Sequence, residues 1–183
     1  MTTPAEYIDA LIGREGGFSD HPSDRGGPTM WGITEHVARA FGYTGAMKDM
    51  PRAVAKEIYL KRYWIQPRFS EIYDFAPAIA NELLDTGVNM GQGVAAKFLQ
   101  RALNALNQRG KVYPDIAVDG AIGNVTIAAL RAYLNHRGKE GHAVLLRMLN
   151  AQQSVRYIEL AEKNESQEDF QHGWQFHRVG ELS

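Results

Sequence analysis

The chain contains no cysteine, which excludes disulfides and thiolate metal sites. That absence fits a protein that folds in a reducing compartment or works in either redox state. Long apolar runs are also missing: nothing approaches the roughly 18 residues needed for a bilayer-spanning helix, so no stable membrane insertion is expected. Met1-Thr-Thr-Pro-Ala-Glu6 does not read as a charged and then apolar leader. Synthesis in the cytoplasm without a signal peptide is therefore expected. A net charge of -1 lacks the basic excess of a dedicated nucleic-acid binder.

What is present is ordinary globular material. The chain has 183 residues, 44% of them hydrophobic and 22% charged, enough for one domain or one domain with an annex. Charge is unevenly spread, with a net of -3 over residues 1–93, +6 over 94–156 and -4 over 157–183. The positive middle section suits an anionic polymer, or equally a set of solvated helix faces. No low-complexity tract or linker separates two halves.

Thr3-Pro4-Ala5-Glu6 reads as a helix start, with a capping threonine, proline at the first helical position and a glutamate that completes a capping box. Residues 16–34 are rich in glycine and proline and cannot form a regular helix; Thr29-Met-Trp-Gly-Ile-Thr34 suggests a small hairpin. Helices are expected over about 35–42, 51–64, 76–87, 93–107, 124–135 and 142–163 from three- and four-residue apolar spacing. The fold class is mainly α, with a small loop or hairpin element.

Glu15 stands out by position. Residues 8, 11, 12 and 15 follow one helical stripe, so its carboxyl shares a face with Ile8, Leu11 and Ile12. It also falls where a helix ends, and the dipole there disfavours negative charge. Burial and dipole together predict a raised pKa, the property a glycosidase needs to protonate a departing oxygen. A glutamate paired with Arg14 or a more distant arginine would occupy the same position for structural reasons alone. The loop beyond offers Asp20, Asp24 and Thr29, groups able to hold or activate water, and Trp31, able to stack on a sugar. Singly these are common surface or core residues.

Taken in order, Glu15-Gly-Gly-Phe-Ser-Asp-His-Pro-Ser-Asp24-Arg-Gly-Gly-Pro-Thr29-Met-Trp-Gly-Ile-Thr34 resembles the signature of glycoside hydrolase family 108, departing from it where His21 separates Asp20 from Pro22. The resemblance continues through Arg62-Tyr63-Trp64 and Asn81-Glu-Leu-Leu-Asp85-Thr-Gly-Val-Asn89. Leu99-Gln100 and Val118-Asp119-Gly120 through Thr126 resemble the peptidoglycan-binding region usually fused to that family. It implies a lysozyme-like helical fold with the hairpin at the active site. Residues 1–93 would be catalytic, and 94–183 a helical wall-binding-like region packed into the same compact unit. It further implies an N-acetylmuramidase of the phage endolysin type with Glu15 as catalytic acid. The order glutamate, aspartate, threonine also resembles phage lysozymes, which extends a water-handling role to Asp24 and Thr29 by analogy. Trp31, Tyr63, Asp85 and Asn89 are candidate sugar contacts, although Asp85 and Asn89 could equally satisfy buried backbone.

The expected partner is peptidoglycan, met at the cell wall or periplasm after release, by a monomer that needs no cofactor. Metal sites are not expected: the loop aspartates lack calcium-loop spacing, and His172 and His177 lack a third ligand. Two other readings stay open. A lytic transglycosylase needs the same glutamate but yields an anhydro end, and a non-catalytic wall-binding or secretion-related protein needs no acid at all.

Overall fold

The computed structural model describes residues 3–14, 17–19, 27–177 and 179. It is a mainly α structure with one two-stranded antiparallel hairpin, in two compact units, Met1–Gln66 and Pro67–Ser183.

The first unit begins with α1 (Pro4–Arg14). Its capping box is formed: the Thr3 N–H donates to Glu6 Oε2 at 2.7 Å, and the Glu6 N–H to Thr3 Oγ1 at 3.2 Å. Ile8, Leu11 and Ile12 are buried, as the stripe requires. Strands β1 (Thr29–Met30) and β2 (Ile33–Thr34) pair Thr29 with Thr34 and Met30 with Ile33. Thr34 then caps α2 (Glu35–Phe41), which Gly42 ends in the left-handed conformation.

Next comes α3 (Arg52–Tyr59), whose Lys56 and Arg52 clasp Asp9 of α1 at 2.7 and 3.1 Å. The helix expected over 51–64 does not stay α to its end. From Leu60 to Ile65 it winds as a π-helix, with the Gln66 N–H reaching back to the Lys61 carbonyl.

The second unit holds α4 (Phe69–Tyr73), α5 (Pro77–Met90), α6 (Gln92–Leu106), α7 (Asn124–Lys163) and α8 (Glu168–His177). Helix α5 packs against α4, α6 and α7 around Leu83, Leu84, Leu99, Leu103, Leu145 and Leu149. The helices expected separately over 124–135 and 142–163 are the two segments of α7, separated by a break at Gly138, whose φ of 56° and ψ of -140° leave the helical region. The Gln100 amide organises the loop before α7. Its nitrogen donates to Asp119 Oδ1, the Ala121 carbonyl and Thr126 Oγ1, and its oxygen accepts from the Gly120 N–H. The sequence segments around Leu99-Gln100 and Val118–Thr126 thus meet through one buried side chain.

Candidate active site

Of the expected site residues, Glu15 and Asp24 lie outside the described residues, while Thr29, Trp31, Tyr63, Asp85 and Asn89 lie within them. The described neighbours of the first two are informative. Helix α1 delivers the chain to Arg14 with its apolar stripe buried, immediately before Glu15. Ser19 and Thr29 form an antiparallel bridge, with N–H to carbonyl distances of 2.9 and 2.8 Å. The bridge holds together the two ends of the segment that contains Asp24.

Thr29 therefore has a backbone fixed on both sides, by Ser19 and by Thr34 across the hairpin. Its hydroxyl donates to the Gly27 carbonyl at 3.1 Å. With its proton so engaged, the oxygen offers lone pairs and can orient a water by accepting from it.

Trp31 sits at the hairpin turn with φ of 55°, followed by Gly32 at 74°. Two positive φ values in a two-residue hairpin turn follow the type I′ pattern, which favours asparagine and glycine. A tryptophan there is strained by about 1–2 kcal/mol. Two hydrogen bonds hold it: the indole N–H donates to the Met50 carbonyl at 2.9 Å, and the Tyr59 hydroxyl to the Trp31 carbonyl at 3.2 Å. The ring's one donor is thus committed to the fold, and the half-buried ring keeps its apolar surface.

Tyr59 also stacks on Tyr63, ring centroids 5.5 Å apart. Tyr59 is buried and Tyr63 half-buried, so the inner tyrosine props the outer one. The Arg62 guanidinium lies 5.8 Å from the Tyr63 ring centroid. Thr29, Trp31 and Tyr63 are in this way tied to one another within the first unit, through the hairpin and Tyr59.

Asp85 and Asn89 share α5, in the second unit. The Asn89 side chain turns back on its own helix and donates to the Asp85 backbone carbonyl at 2.7 Å. The Asp85 carboxylate accepts from Nε2 of Gln153, a fully buried residue of α7, at 2.8 Å.

Sequence reasoning passed over Glu82, one turn before Asp85. Burial, then the charge of Asp85, push its pKa up to about 8, against a lowering hydrogen bond from the Thr86 hydroxyl at 3.3 Å. A glutamate inside the run Ile79 to Leu84, with an aspartate three residues on, was the available signal. Among the described residues no group of three or more metal-ligating side chains comes together.

Residues 8–91 match the family model described as Glycosyl hydrolase 108, and residues 94–179 match that described as Predicted Peptidoglycan domain. The chain is similar to a solved structure titled "Structure of Brucella abortus SagA". The two share 26% identity over 96% of this chain and 88% of that one, with a TM-score of 0.62. No curated protein matches.

Proposed function

We propose, from the premise that residues 8–91 belong to the glycosyl hydrolase 108 family and residues 94–179 to the predicted peptidoglycan domain, that this peptidoglycan hydrolase is an N-acetylmuramidase. It cleaves the β-1,4 bond between N-acetylmuramic acid and N-acetylglucosamine. Glu15, the residue that follows α1 in the sequence, protonates the departing glycosidic oxygen. A water held by Thr29 attacks the anomeric carbon and gives its proton to Asp24, which completes the hydrolysis. Trp31 and Tyr63 offer their ring faces to sugars.

The observation that supports this reading is the family match over a segment whose Thr29 hydroxyl donates to the Gly27 carbonyl, which leaves its oxygen lone pairs for a water. A bound water distinguishes hydrolysis from transglycosylation, in which the muramyl 6-hydroxyl attacks instead. A lytic role of the endolysin type follows from the same reading, the enzyme reaching the wall after release from the cytoplasm.

The test is clearing of purified sacculi. Wild type clears them, and Glu15→Gln loses at least about 10²-fold in rate, the contribution typical of a general acid, while still sedimenting with the wall. A wild type that binds sacculi and never clears them supports a binding protein instead.

A further inference from the structure

Within the second unit, α6 and α7 leave between them a groove of about 240 Å³. Phe98 and Val155 form its apolar part, and Val155 is 54% exposed, a branched apolar side chain left facing solvent. Two guanidinium groups line the same groove, Arg101 from α6 and Arg156 from α7, together with the Glu159 carboxylate. Arg156 is steadied by Glu159 at 2.9 Å, which uses one of its five N–H donors. Arg101 is exposed and makes no hydrogen bond or ion pair among the described residues. The groove floor is fixed from beneath, because Nε2 of Gln152 donates to the Phe98 carbonyl of α6 at 3.0 Å.

Arg101, with no protein partner among the described residues, and the spare N–H groups of Arg156 lie beside a small apolar surface and suit a carboxylate carried next to a short alkyl group. A planar guanidinium pairs a carboxylate through two parallel hydrogen bonds, and Val155 with Phe98 would cover a methyl. The volume lies below the ~300–1,000 Å³ of sites that enclose a whole drug-sized ligand, so it suits one amino-acid residue rather than a disaccharide. Residues 94–156, which supply all of the lining except Glu159, carry a net charge of +6.

From these features we infer that the groove binds the carboxylate-bearing peptide stems of peptidoglycan, apart from the glycan strand cleaved by the hydrolase region. The inference rests on peptidoglycan being the substrate and does not depend on which glycosidic bond is cut. It assigns the second unit a chemistry: recognition of alanyl and acidic residues of the stem.

The experiment titrates the full chain with a soluble stem pentapeptide ending in D-alanyl-D-alanine, followed by NMR shifts, alongside sacculus clearing by the same preparations. Saturable shifts centred on Phe98 and Val155 are expected. Arg101→Gln should weaken binding about tenfold, the loss of one carboxylate pairing. Arg101→Lys should weaken it less, and amidation of the peptide terminus should match the Arg101→Gln loss. Arg101 is exposed, so an unchanged melting temperature checks that these variants fold. Failure of the peptide to bind wild type, or equal binding by Arg101→Gln, overturns the inference. So does a set of shifts that avoids the groove. Clearing without peptide binding overturns the groove alone, whereas peptide binding without clearing overturns only the hydrolytic reading.

Discussion

A carboxyl with a pKa of about 8 holds its proton at neutral pH, and Glu82 is such a group for structural reasons. Its folded pKa lies above the ordinary value of 4.5, so the folded state keeps a proton that the unfolded chain has released. The resulting stability is fully present below about pH 4.5 and is lost as pH rises towards 8, by at most about 1.4 kcal/mol per pH unit. Glu82→Gln removes the titration. We expect it to flatten the pH dependence of stability and to stabilise the protein by about 1–3 kcal/mol at pH 8, with little effect at pH 4. Urea unfolding of both proteins at the two pH values measures this, and parallel pH profiles would contradict it. Clearing activity should survive the substitution, because the acid assigned to the chemistry is Glu15. Asp85, which the sequence offers equally as a sugar contact or a structural residue, is engaged by Gln153, and nothing in its local spacing announces that distant residue.

At the scale of elements, local chemistry was legible wherever one short segment contained all the interacting groups. The Thr3–Glu6 capping box and the Thr29–Thr34 hairpin each need only neighbours in sequence. The π-winding of Leu60–Ile65, which carries the buried Trp64, has no such signature in its local spacing. The break between the helices expected over 124–135 and 142–163 is present and falls at the single residue Gly138, so the two helices approach each other more closely than their expected ends. Helix α8 went unforeseen because Trp174 packs on Tyr157, 4.9 Å between ring centroids, a contact between positions far apart in sequence.

Another element-scale consequence concerns the loop held by Gln100. Gly120 has φ of 82°, and a Cβ there would lie 3.0 Å from the Gly93 carbonyl oxygen of α6. Gly120→Ala therefore meets both backbone strain and a close approach to main chain that cannot move aside easily. A loss of about 1–3 kcal/mol is expected, read as a lower urea midpoint with an unchanged slope. Wild-type stability in this variant would mean that the loop is free to move away from α6.

For the whole molecule, sequence and contacts divide the chain at different places. The two matched regions meet between residues 91 and 94, near the expected boundary at 93, while the compact units meet at Gln66 and Pro67. Helix α5 lies in the first matched region by sequence and packs with α6 and α7. A cut at residue 93 would strip α5 of the helices that bury Leu83 and Leu84. Residues 1–93 alone should therefore be poorly folded, a result checked by the absence of a cooperative thermal transition. A cooperative transition in that fragment would show that its own contacts suffice.

The central claim is that Glu15 donates a proton to the glycosidic oxygen while water attacks. Mass spectrometry of the sugar ends released from sacculi tests it most directly, with wild type and Glu15→Gln run together. The account predicts reducing N-acetylmuramic acid ends from wild type and almost no release from Glu15→Gln. Anhydro-muramic ends as the primary product, or undiminished release by Glu15→Gln, would contradict it.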